Sequence, residues 1–212
     1  MKKIIITSIF AAIVAAGFAQ NDQTLQTTPK DQEMKTLLGS DVSHGGYGAL
    51  TMGVTNINGE TGMTTGIRGA WVIGHSISLG IAANGFVSDF FWSDRLSSQT
   101  GLTGGYGGLL IEPIILPRSP VHVSFPCVIG VGGVANLQRG VWAYNEYDYY
   151  ASDADVFIVF EPAAEVELNV TRFFRLGIGA SYRIVNDLDL FGVSSEALDG
   201  LNVGVSIKFG KF

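Results

Sequence analysis

The sequence has a single cysteine, Cys127, in 212 residues. That excludes an intramolecular disulfide and a cysteine-rich metal centre. Charge is also scarce. Charged residues are 15% of the chain, and 13 basic side chains face 19 acidic ones, for a net charge of −6. Such a balance offers no basic face to nucleic acid. Long apolar runs are missing too. Beyond the first 19 residues, no stretch approaches the roughly 18–20 apolar residues that a membrane helix needs. What is plentiful is hydrophobic character, at 47%, and glycine, at 28 residues. Glycine disfavours helix. Apolar residues without runs therefore point to strands that place them at every second position.

The opening "MKKIIITSIFAAIVAAGFAQ" has two lysines, an uncharged apolar stretch from Ile4 to Ala16, and small residues at Gly17 and Ala19. This pattern predicts a signal peptide over residues 1–19, too short to serve as a membrane anchor. Its removal takes two lysines and leaves a net charge of −8. No cysteine sits near the cleavage site, so no lipoprotein is expected. Residues 20–43 are polar and read as a linker. Residues 44–212 form the folded part.

Eight strands are predicted there, over residues 47–55, 61–73, 77–87, 102–116, 121–134, 155–168, 173–185 and 201–212. Links at 74–76, 117–120 and 169–172 are tight, whereas those at 88–101, 135–154 and 186–200 are long. Asn58-Gly59 is a tight hairpin signal. Short turns on one side and long loops on the other are the pattern of outer-membrane barrels. An even strand number puts both termini on the turn side, in the periplasm. Strands of this length can cross an apolar layer when tilted. Within most of them apolar and polar residues alternate. Val156, Ile158, Phe160, Val166 and Leu168 share one face, and Glu161, Glu165 and Glu167 the other. Phe174, Leu176, Ile178 and Ile184 oppose Arg175 and Arg183. Val203, Val205, Ile207 and Phe209 oppose Ser206 and Lys208. The expected fold is an all-β, eight-stranded, antiparallel up-and-down transmembrane barrel. Three prolines inside strands, Pro113, Pro126 and Pro162, predict bulges. Tyr106 and Glu112 share parity with Leu102 and Leu110, which predicts one register shift.

The candidate chemistry lies on the lumen face. Arg68, Glu112, Glu161, Glu165, Glu167, Arg175, Arg183 and Lys208 all have lumen parity. An eight-stranded barrel is just wide enough to be filled by side chains, so interlocking Glu–Arg pairs are expected as a plug. A gate or proton path is the functional alternative. His122 and Ser124, with Glu112, have hydrolase-like spacing but sit by a tight turn. His75-Ser76 reads as turn chemistry. Trp142, Tyr144, Tyr147, Tyr149 and Tyr150 in the long link at 135–154 read as an interfacial belt or an external ligand loop. Its aspartates do not match an EF-hand. Gly104–Gly108 is no phosphate loop, because no helix and no lysine follow. No metal, cofactor or catalytic residue is expected.

"HGGYGAL", "GIRGAWVIGHS", "GGYGGLLIEPI", "EPAAEVELNVTRFFRLGIGASYR" and "SIKFGKF" resemble small outer-membrane β-barrel proteins of Gram-negative bacteria, with OmpA- or OmpX-like architecture, over about residues 44–212. The resemblance implies the outer membrane as location, its lipid as surroundings, and the insertion machinery as partner during assembly. Phe209 and Phe212 would then carry the assembly signal. It brings no catalytic residues. The expected function is a monomeric structural or surface-interaction barrel. The alternatives are a narrow pore for small solutes and an enzyme acting on outer-leaflet lipid.

Overall fold

The computed structural model describes residues 42–93, 98–142, 146–186, 188–190 and 193–212. The predicted signal peptide and nearly all of the linker lie outside the described residues. Ten strand segments are present among them: β1 (His44–Ile57), β2 (Glu60–Ile73), β3 (Ile77–Ser88), β4 (Phe91–Ser93), β5 (Ser98–Ile115), β6 (Val121–Ser124), β7 (Cys127–Trp142), β8 (Glu146–Asn169), β9 (Phe174–Asn186) and β10 (Gly200–Lys211). All neighbours pair antiparallel, and β10 returns to β1, which closes the sheet. β6 and β7 form one stave interrupted at Phe125-Pro126, and β4 pairs only with the outer end of β5. The result is a ring of eight staves. Closure removes every free edge, so each backbone amide in the wall has a neighbour to bond.

The period-two alternation becomes an inside and an outside. Outward residues are apolar and exposed: Ile81 at 67%, Val131 at 66%, Val156 at 75% and Ile178 at 61%. Inward residues are mostly small, polar or charged. This is the reverse of a water-soluble barrel, which hides its apolar face.

The prolines behave differently from expectation. Ile114↔Ser124 and Ile111↔Cys127 belong to one register on either side of Pro126, and β8–β9 pairing resumes in register beyond Pro162. No bulge forms at Pro113, Pro126 or Pro162. They lie almost side by side on three neighbouring staves, and their carbonyls still accept: Phe125 N donates to Pro113 O at 2.9 Å, and Ala163 N to Pro126 O at 2.7 Å. Each proline removes one donor without shifting the ladder. The register shift instead lies between Asn136 and Leu137. The shift expected in β5 is likewise absent. Leu102, Tyr106, Leu110 and Glu112 all point inward and are buried. The two leucines are lumen residues. Leu102 joins an apolar cluster at the loop end, and Leu110 packs with Ala82 and Val128.

Among the described residues, the long links carry regular and packed structure. Most of 135–154 is a β7–β8 ladder that continues to Trp142↔Glu146. The described parts of the link between β9 and β10, 188–190 and 193–199, fold back over the mouth. Leu188, Leu190, Ala197 and Leu198 are buried there against Ile57, Phe86, Leu102, Tyr106, Val134, Phe157, Val159 and Val185. Ala197 O accepts from Asn58 N at 2.7 Å, tying this cap to the β1–β2 hairpin. One glycine pair shows how tightly the wall is built. A Cβ on Gly108 or Gly130, which face each other across β5 and β7, would run into the neighbouring backbone.

Candidate functional site

The register sorts the lumen charges by side. Arg68 on β2 lies beside Ala49 on β1, Ala49 beside Lys208 on β10, and Lys208 beside Arg175 on β9. These four neighbouring staves form a basic half-wall. The acids come from the other half of the ring: Glu112 on β5, opposite β10, and Glu165 and Glu167 on β8, next to β9. The small side chain of Ala49 leaves room for its two long basic neighbours to lean inward.

They meet near the turn end. Lys208 Nζ donates to Glu112, to Glu167 Oε1 at 2.8 Å, and lies 3.6 Å from Glu165 Oε2. Arg68 Nη1 donates to Glu165 Oε1 at 2.6 Å, and Ser206 Oγ to Glu165 Oε2 at 3.0 Å. The Tyr47 hydroxyl donates to Glu112. Glu167 also accepts from Ser124 Oγ, and from His122 Nε2 at 3.1 Å. Arg175 Nη1 is 3.7 Å from Glu167 Oε2. Three carboxylates thus face three strong cations, and every oxygen of Glu112, Glu165 and Glu167 has a partner. That completeness is what makes burial tolerable, since a buried charge left unpaired costs several kcal/mol, of order 3–5. Glu112 and Glu167 are 0% exposed and Lys208 is 1% exposed.

The three carboxylates come within 4.8 Å of one another. The Lys208 ammonium already sits among them, in the place a metal cation would take. His122 and Ser124 do not form a hydrolase pair. Both bond to Glu167 rather than to each other, so the imidazole is not placed to take the serine proton.

Toward the loop end a polar cavity of about 30 Å³ follows, lined by Thr51, Thr64, Arg68, Asn84, Ser181 and Asn202 among others. It has room for a water or two. Above it Glu161 is held by two hydroxyls, Tyr106 and Ser181, the latter at 2.5 Å. Arg183 does not pair with it. Its Nε donates to Leu198 O at 2.7 Å, and its guanidinium carbon lies 5.1 Å from the Phe86 ring centre. The pairing of Glu165 is with Arg68, and that of Arg175 with Glu167. Lysine is as central as arginine.

Sequence reasoning placed Ser206 on the lumen face but missed that its hydroxyl, with those of Tyr47, Tyr106 and Ser181, would partner the buried carboxylates. All four share lumen parity with the charges, so the same alternation could have found them. Phe212 turns inward. It stacks on Tyr47 at 5.7 Å, with the Arg175 guanidinium carbon 3.8 Å from its centroid. Phe209 is outward, 51% exposed, and stacks on Phe174 at 4.9 Å. Tyr144 lies outside the described residues, and so do the side chains of Trp142, Tyr147, Tyr149 and Tyr150, whose backbones belong to β7 and β8.

No family model matches the chain, and no curated protein matches it in sequence. Solved structures do match. Neisserial surface protein A aligns with a TM-score of 0.52 and 12% identity, over 82% of this chain and 100% of that one. The Yersinia pestis outer membrane protein Ail aligns with a TM-score of 0.40 and 11% identity, over 77% and 99%. The N-terminal β-barrel domain of Pseudomonas aeruginosa OprF gives 0.39 and 9%, over 78% and 96%. At such identities the likeness is one of architecture: the chain has the eight-stranded antiparallel barrel fold of Neisserial surface protein A.

Proposed function

We propose that the chain is an integral outer-membrane protein whose barrel wall sits in lipid, with a structural or surface-interaction role and a lumen that does not conduct. One observation carries this reading: the apolar face points out, and a charge lattice in which every oxygen of Glu112, Glu165 and Glu167 has a partner points in. In water, so large an apolar belt would be an aggregation surface far beyond the few hundred Å² that soluble monomers expose. In a bilayer it is the face that lipid solvates. The lattice, the Phe212 stack and the apolar cap lie in series along the lumen, which disfavours passage of solutes. A lipid-modifying activity would need an accessible nucleophile, and Ser124 is buried and bound to Glu167.

Fractionation with heat-modifiable gel mobility tests the location. The folded, faster-migrating form is expected in the outer membrane, and recovery in the soluble periplasmic fraction would overturn the reading. Purified protein in planar bilayers is expected to show no channel. Discrete conductance steps would favour the pore.

A further inference from the structure

Arg183 differs from the other lumen cations. It is 0% exposed, and neither Nη1 nor Nη2 has a hydrogen-bond partner. No described carboxylate pairs with it, whereas Arg68, Arg175 and Lys208 each meet at least one. Its one printed hydrogen bond is to the cap, at Leu198 O. An unpartnered guanidinium under an apolar cap works against the closed arrangement. The cap is held by a different force, the burial of Leu188, Leu190, Ala197 and Leu198, together with Asn58 N donating to Ala197 O and Val185 N to Asp199 Oδ1 at 2.7 Å. Lifting Val193–Asp199 would bare a guanidinium fork beside the Phe86 and Tyr106 rings, and neither of its amino groups makes a hydrogen bond of normal geometry. Such a fork is matched by two oxygens of one oxyanion.

We propose that Arg183 is the centre of an oxyanion-binding site at the loop-end mouth, covered by the cap, and that its ligand is a phosphate or carboxylate group presented from that side. The site takes its ligand only when the cap is open, so its apparent affinity is the intrinsic one reduced by the open fraction. This goes beyond the membrane reading: failure to fold in micelles would count against that reading, whereas folded protein that shows no shift would count against this one.

The test uses full-length protein refolded in micelles and follows the Arg183 Nε–H resonance, assigned with Arg183→Lys. Inorganic phosphate and, separately, acetate are titrated at ionic strength held constant with chloride. A saturable shift with either is expected, and the anion that produces it identifies the group. Leu198→Ala removes buried cap surface and should tighten apparent binding by about tenfold or more. An Asn58→Cys/Ala197→Cys cross-link, in a Cys127→Ser background, should abolish the shift until it is reduced. No shift with either anion in wild type and in Leu198→Ala overturns the site. Equal affinity in wild type and Leu198→Ala, or a shift that survives the cross-link, overturns the role of the cap.

Discussion

Lys208→Met is the sharpest probe of the lumen. Lys208 Nζ serves Glu112 and Glu167 directly and stands 3.6 Å from Glu165. Methionine nearly keeps the volume and removes the charge. What remains is three carboxylates within 4.8 Å of one another, balanced only by Arg68 and Arg175. The site would hold one uncompensated negative charge at 0–1% exposure. Breaking a buried pair from one side costs about 3–5 kcal/mol, a large share of a typical stability of about 5–15 kcal/mol. Lys208→Met/Glu112→Gln restores neutrality, and the Tyr47 hydroxyl still finds an acceptor at position 112. Most of the loss should return, giving a coupling energy of about 2 kcal/mol or more between the two sites. The assay is denaturant unfolding in lipid vesicles, scored by heat-modifiable mobility, with Glu112→Gln alone completing the cycle. A single-variant loss below about 1 kcal/mol, the worth of an exposed pair, would refute the account. So would a double variant whose loss equals the sum of the singles.

Other consequences follow from the same geometry. Ile178→Arg, at a wall position 61% exposed, should cost about 2–4 kcal/mol in a bilayer if it sits near the midplane. A change within about 0.5 kcal/mol, as for a water-facing surface, would contradict the lipid-facing wall. Gly108→Ala should sharply lower the yield of folded barrel, because its Cβ would strike the β7 backbone. Gly69→Ala, whose Cβ would meet nothing, should fold normally; equal yields would show that the close approach is not limiting. Deleting Phe212 should lower folded-state stability by about 1–2 kcal/mol, through loss of the Tyr47 stack and the Arg175 contact, yet leave assembly intact. Phe209→Ala should lower the assembled fraction, because Phe209 is the ring exposed to the outside. The reverse result would return the assembly role to the last residue.

Period-two alternation is local, so a reader of the sequence could find the staves, their number, the hairpin turns and the two faces of each. Among the described residues, every buried Arg, Lys and Glu that lines the lumen, and the half-buried Arg68 with them, has a parity that could be read this way, because parity needs no partner. Partnership was not legible. Lys208 meets Glu112 across 96 residues of chain and Arg68 meets Glu165 across 97, and only closure and stagger of the ring bring such pairs to one level. Closure also decided that the half-wall of β2, β1, β10 and β9 is basic and faces acids. The prolines misled because a missing donor weakens one rung but does not by itself shift a ladder held on both sides. The β9–β10 link misled because its Leu188, Leu190 and Leu198 look like any loop residues until an open mouth lies beneath them. Alternation also cannot say which face looks outward. The sequence alone determined that there would be two unlike faces. The curvature of the closed sheet, with space inside for only a few long side chains, decided that the charged face turns inward and which charges meet.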